Sequence, residues 1–380
     1  MKAIDILKII RQFQTAKVVK VDAKKRIMPQ VIQLPLTYNC NSRCSMCNVW
    51  NMDHSEEASA TEFLDFISDD IFSEVKSVGI NGGEVTLIPN LTDYIDAILK
   101  LPKLKHLNII SNGFRGDELI SALKHTYKKC KQKGVSFSVI ISLDGVGEMH
   151  DNVRGVRNAF KKTMKTAEII NSDKENVCDS FELACTVIET NVEHIIELDR
   201  FCVLNKLKIK YRLGIENKRI ESDKLVKDFS LVENNNLQSV KELFHYLYRR
   251  TPLSDFKQKY KYFCIFDWIN SPDGNKKRRL GCDWMDKGIT LDSRGEVYYC
   301  AVESKSLGSL RESNKSGKDI FFDKTNLSYR ESIVNSRCNT CIHDYYGRPY
   351  LADLVYFVRS EFMLRANMRL FKLRVKLGLI

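Results

Sequence analysis

Residues 38–50 read YNCNSRCSMCNVW, which sets Cys40, Cys44 and Cys47 within eight positions of one another. Directly upstream, VIQLPLT (31–37) is a short apolar run, so the thiols stand at the end of a strand. Similar runs recur at SVGIN (77–81), HLNIIS (106–111), FSVIISL (137–143), FELACTVI (181–188) and KIKYRL (208–213). The stretches between them, such as LTDYIDAILKL and AFKKTMKTAEII, repeat apolar residues three and four apart. Strand alternating with helix in this way predicts an α/β fold whose parallel sheet is either open or curled into a partial (β/α)6 barrel. Ligands of such sheets sit at the carboxyl ends of the strands, where the cysteines fall.

The 380-residue chain is 43% hydrophobic and 28% charged, ordinary values for a soluble globular protein. No uncharged apolar run approaches the roughly 18 residues of a spanning helix. The opening MKAIDILKIIRQFQTAKVVK breaks its apolar residues with charge and lacks a small-residue cleavage site, which predicts a cytoplasmic protein. In that compartment the twelve cysteines point to metal ligation rather than disulfides. The net charge of +12 suits nucleic acid, an anionic membrane or an acidic protein partner and does not choose among them.

Two chemistries fit the three clustered cysteines. A structural zinc site would need a further ligand, and His54 is within reach in sequence. An iron–sulfur cluster also takes thiolates, and three of them on [4Fe–4S] leave one iron open. Among metal sites, an open position marks catalysis rather than scaffolding.

CNSRCSMC fits the CxxxCxxC motif of the radical S-adenosylmethionine (SAM) superfamily, with hydrophobic Met46 before the third cysteine. The resemblance implies a [4Fe–4S] cluster on Cys40, Cys44 and Cys47, with SAM on its open iron. It further implies reductive cleavage of SAM to a 5′-deoxyadenosyl radical, which abstracts hydrogen from a substrate. Further stretches keep the family's order. NGGEV after the second strand resembles its GGE motif, with Gly82, Gly83 and Glu84 expected near the SAM amino group. Glycines permit close backbone approach, and a carboxylate accepts bonds from an ammonium. SNG supplies Ser111 and Asn112, SLDG supplies Ser142 and Asp144 as ribose candidates, and HDNVRG supplies Arg154 for the SAM carboxylate. Asn191, in VIETN, is a further candidate. Read alone, the Asn-Gly and Asp-Gly pairs are ordinary turn chemistry.

Farther on, Cys282 and Cys300 frame a hairpin pattern with Gly295 in its turn, and CNTC adds Cys338 and Cys341. Two separated pairs also suit a zinc ribbon. The spacing CX12GX4C followed by CX2C resembles the SPASM/twitch domain that follows radical SAM barrels, and no cysteine comes after Cys341. That implies one auxiliary [4Fe–4S] cluster filled by four thiolates. The expected organisation is an N-terminal helical extension (1–29), the barrel (30–215), a helical connector (216–275), the smaller β-hairpin/helix iron–sulfur domain (276–348) and a basic amphipathic helix (349–380).

The expected activity is hydrogen abstraction from a small molecule, a sugar or aminocyclitol first, with two-electron oxidation through the auxiliary cluster. Maturation of a ribosomally made peptide is the alternative. About thirty residues precede the barrel, which argues against the leader-recognition domain usual for such maturases. A non-enzymatic basic zinc protein binding nucleic acid is the reading of a different class. A flavodoxin or ferredoxin is the expected reductant and nucleic acid is not an expected partner. In the last helix Leu354, Val358 and Phe362 are expected to pack on the protein, and its basic residues admit peripheral membrane contact. His150, Glu189 and Tyr211 lie near strand ends, but no catalytic acid or base is assigned. Cys130, Cys178, Cys185, Cys202 and Cys264 are scattered, and Cys185 in its apolar strand reads as a core residue.

Overall fold

A computed structural model describes residues 10–18, 20–220, 236–272, 275–311, 315–343 and 345–376, the last twelve by backbone alone. Strands β1 (Val31–Pro35), β2 (Ser77–Asn81), β3 (His106–Ser111), β4 (Ser136–Ser142), β5 (Ser180–Val187) and β6 (Ile209–Leu213) run parallel in that spatial order. Helices return the chain between them, and the sheet stays open, as a partial barrel. The α/β expectation holds.

The strands alternate in burial, which is unusual for a parallel sheet covered on both faces. Val78, Ile80, Leu107, Ile109, Leu183 and Val187 are buried beneath the helices. Their neighbours Asn108, Ser138, Glu182 and Thr186 face a polar cavity instead. Lys210 pairs with Glu182 at 2.6 Å and the Arg212 Nε–H donates to Thr186 Oγ1 at 3.2 Å across that inner face. The period-two pattern therefore divides a packed face from a hollow one.

One joint was not legible. Strand β7 (Gly288–Leu291) pairs in parallel with β1, matching Val31 to Gly288 and Gln33 to Thr290. It turns back into β8 (Glu296–Tyr298) and then β9 (Gly308–Ser309), both antiparallel. The second cysteine hairpin thus extends the barrel sheet. Between barrel and hairpin the described connector holds helices Leu237–Arg250 and Phe256–Asn270, while its polar stretch 221–235 lies outside the described residues.

The helix Leu351–Lys376 differs from expectation. Leu354 and Val358 pack on the core as expected, but Phe357 and Glu361 share the buried side and Phe362 is 73% exposed. Polar partners turn the helix this way: Asp353 takes Arg279 at 3.0 Å, and Glu361 accepts the Tyr248 hydroxyl at 2.7 Å. The basic side chains from Arg365 to Lys376 lie outside the described side chains. Among the described residues, no helix is long and apolar enough to cross a membrane.

Candidate active site

The cysteine loop after β1 is sewn to its neighbours by backbone. Gly83 N–H donates to Thr37 O at 2.6 Å and Glu84 N–H to Asn39 O at 2.8 Å. A Cβ on Gly83 would stand 2.0 Å from Asn39 O, so this glycine lets the chain approach its own cysteine loop. From the other side, Arg43 N–H and Ser45 N–H donate to the carbonyls of Arg154 and Val153 at 2.8 and 2.9 Å. Gly155, at φ +62°, allows that seam, because a Cβ there would meet Arg43 O at 2.4 Å. The Asn112 amide closes a third side on Asn41 Oδ1 at 2.8 Å.

Above this loop opens a cavity of about 1060 Å³. Its lining includes Cys40, Cys44, Met46, Cys47, Gly82, Gly83, Glu84, Ser111, Asn112, Ser142 and Arg154. Glu84 is 1% exposed and its carboxylate accepts from Thr86 N–H and Oγ1–H, Ser111 Oγ–H at 2.7 Å and Asn112 N–H at 2.8 Å. Four donors fix its rotamer in a buried place.

Asp144 and Asn191 stand outside that lining. Asp144 pairs with Arg154 at 2.5 Å and accepts Thr186 N–H at 2.8 Å, both as a buried scaffold. Asn191 accepts Ile188 N–H and donates to the carbonyls of Asp144 and Thr186. Both carry the loop that carries Arg154. Burial opposes the Arg154 charge, yet Asp144 and Cys44 outweigh it and keep the guanidinium protonated. One of its nitrogens reaches Cys44 Sγ at 3.5 Å.

His150 braces the same region. Its Nδ1 accepts Asp144 N–H at 3.0 Å, which leaves Nε2–H to face Thr163 Oγ1 at 3.3 Å. Thr163 in turn donates to Asn112 O at 2.9 Å. A single buried imidazole so links the loops after β3 and β4. It is a strut, with burial holding its pKa well below the ordinary histidine value.

The second cysteine group gathers around Arg278. This arginine is 7% exposed, and its guanidinium donates to the carbonyls of Cys341 at 2.9 Å, His343 at 2.8 Å and Tyr345. Burial first, then the neighbouring thiols of Cys282, Cys300 and Cys341, push Cys338 upward. Four cysteines from distant positions therefore converge. Burial likewise raises Cys40 to about 11 and Cys300 to about 12, so any metal held there must displace protons. None of these four lines the cavity, but Trp284, Ala301 and Val302 beside them do.

Among the described residues, no three His, Cys, Asp or Glu side chains converge tightly enough for a single metal ion. Zinc draws its sulfurs to about 2.3 Å from one centre. Exposed His54 is absent from the cavity lining. The buried atoms Asn81 Oδ1, Arg154 Nε, Arg219 Nε and Trp50 Nε1 all belong to cavity-lining residues and have no hydrogen-bond partner. Such orphans mark a ligand cavity. Asn81 and Trp50 stand inside the quoted stretches but outside the GGE and CxxxCxxC patterns, and Arg219 lies in neither, so the sequence reading passed over all three. The five scattered cysteines are all buried.

Residues 34–202 match the Radical SAM superfamily. The chain is 27% identical over 177 residues to the sporulation killing factor maturation protein SkfB of Bacillus subtilis, covering 46% of this chain and 40% of that one. It is 27% identical over 207 residues to GTP 3′,8-cyclase of Helicobacter pylori, covering 53% and 60% respectively. The chain thus matches about half the length of these relatives. Streptococcus suis SuiB bound to S-adenosylmethionine superposes with a TM-score of 0.55 at 17% identity, over 85% of this chain and 71% of that one. Native anSMEcpe with bound AdoMet gives 0.56 at 16%, over 89% and 99%. The cofactors of this fold family are a [4Fe–4S] cluster and SAM, and the chemistry of the donor set here fits both. The family match thus runs from β1 to the helix that follows β5.

Proposed function

We propose that the protein is a radical SAM enzyme that modifies a peptide by taking a hydrogen atom from one of its residues. The observation that carries this reading is the shared cavity: the three-cysteine loop, the Gly-Gly-Glu turn and the walls of the second cysteine group all open onto it. When bound, the cluster and SAM supply a 5′-deoxyadenosyl radical.

The chain's own residues hold the reactants. Cys40, Cys44 and Cys47 offer three thiolates. Glu84 presents a fixed carboxylate to the SAM ammonium, and Asn81 Oδ1 adds a free acceptor. Arg154 offers its unpartnered Nε–H to the SAM carboxylate. Cys282, Cys300, Cys338 and Cys341 would fill a second cluster, whose chemistry is then electron exchange rather than substrate binding.

A peptide replaces the expected sugar or aminocyclitol for two reasons. SkfB is named as a maturation protein, and SuiB and anSMEcpe have been solved with a precursor peptide and with the Cp18Cys peptide. The cavity lining also runs from the cysteine loop to His106 and Ser180 at the far strand ends, which favours an extended segment. A flavodoxin or ferredoxin remains the proposed reductant.

Anaerobically reconstituted protein with dithionite and SAM should release 5′-deoxyadenosine. Replacing Cys40, Cys44 and Cys47 together by alanine should abolish that release; cleavage surviving in the triple variant sinks the assignment. Peptide substrates should show a mass change where sugars show none, and the reverse result restores the small-molecule reading.

A further inference from the structure

After β6 the chain contributes Gly214, Ile215, Asn217, Arg219 and Ile220 to the cavity lining, and Arg219 is 8% exposed. Ile220 packs with Tyr38, Val49 and Met52 in a small cluster that touches Cys40 and Cys47. Lys218 N–H donates to Val302 O at 2.9 Å, two residues beyond Cys300. Arg219 therefore stands between the two cysteine-bearing loops. A substrate reached from the first and oxidised toward the second must occupy that interval.

The guanidinium is held in place. Its Nη1–H donates to the Tyr38 hydroxyl at 3.2 Å, and Tyr38 donates onward to Asp292 Oδ2 at 2.6 Å. Tyr298 donates to the same oxygen at 3.2 Å. No carboxylate touches Arg219 directly among the described residues, and its buried Nε–H has no acceptor. A buried guanidinium donor left unmatched is costly, and its natural complement is an anionic oxygen. Arg294, 5.2 Å from the Tyr38 ring, adds positive charge that offsets Asp292.

We propose that Arg219 binds a carboxylate of the substrate, positioning it between the two cysteine groups. Resting on the peptide reading above, this makes the substrate an acidic segment, held either by an Asp or Glu side chain or by a C-terminal carboxylate. Arg219 is a specificity residue here and not a further ligand of SAM, whose carboxylate has Arg154.

Three fluorescent pentapeptides test it on the full reconstituted chain by anisotropy: one with a central Glu and an amidated end, its Gln counterpart, and the Gln peptide with a free C-terminus. One or both carboxylate peptides should bind at least about tenfold tighter than the amidated Gln peptide. R219Q should erase that preference and R219K restore part of it, with SAM affinity unchanged in both. Which carboxylate peptide wins identifies the source. Equal binding of all three, or a preference that survives R219Q, overturns the proposal. Loss of SAM affinity in R219Q with the preference intact assigns Arg219 to the cofactor and also overturns it. Direct binding of glucuronate by calorimetry, lost in R219Q while no peptide binds, keeps the carboxylate site and removes the peptide reading. Should R219Q fold poorly, Y38F leaves the guanidinium but removes its anchor and should weaken the same preference.

Discussion

Held between Asp144 N–H and Thr163, the neutral His150 ring makes acid a threat to the site. In the unfolded chain it titrates near the ordinary value of about 6.5, whereas burial, and secondarily Arg154, keep it unprotonated in the fold well below that. Between those two values the unfolded state binds more protons, so stability rises with pH. It is fully present above about pH 6.5 and drains away on acidification, by up to about 1.4 kcal/mol per pH unit. The urea midpoint of the metal-free chain should therefore fall between about pH 7 and pH 5, and H150Q should fall less steeply from a lower start. Parallel slopes in the two proteins would refute the role. At this scale the sequence was readable where chemistry demands a residue type, as for Cys40, Gly83 and Glu84. Arg219 and Trp50 were not readable, because their significance lies in what surrounds an N–H rather than in any spacing. Asp144 and Asn191, read as SAM candidates, stand outside the cavity lining, where Asp144 pairs with Arg154 and Asn191 braces Asp144.

Elements were easier to read than their attachments. The strand runs fell within a few residues of β1 to β6, since alternation of apolar and polar residues is a local signal. The inward face of the last helix was misjudged only at Phe362, because Arg279 and Tyr248, which fix the helix, are remote in sequence. Loop geometry around the second cysteine group was equally hidden, since one guanidinium organises it. Arg278→Gln should strip several buried carbonyls of their donor and cost about 2–4 kcal/mol of local stability. Iron should drop from about eight to about four per chain, while reductive SAM cleavage persists. Full iron content in that variant would show that the loops need no such hub.

Across the whole molecule, barrel and hairpin share a single sheet, joined where β7 lies along β1. Sequence could place the hairpin but not its neighbour, because pairing between residues 31 and 288 has no local signature. The Tyr38 and Tyr298 hydroxyls on Asp292 close the same seam with side chains. A chain ended after residue 275 should therefore expose the β1 edge and self-associate, despite retaining every barrel motif. Size-exclusion chromatography checks this, and a monodisperse, folded truncation would mean the barrel is independent.

The division of the cysteines has a further consequence in air. Five thiols are sealed in the core, while the seven at the two half-buried groups are reachable. Seven is odd, and three of them sit on one loop. However the reachable thiols couple internally, one is always left over to bridge two molecules, so aerobic handling selects for covalent dimers and only a thiol reductant returns monomer.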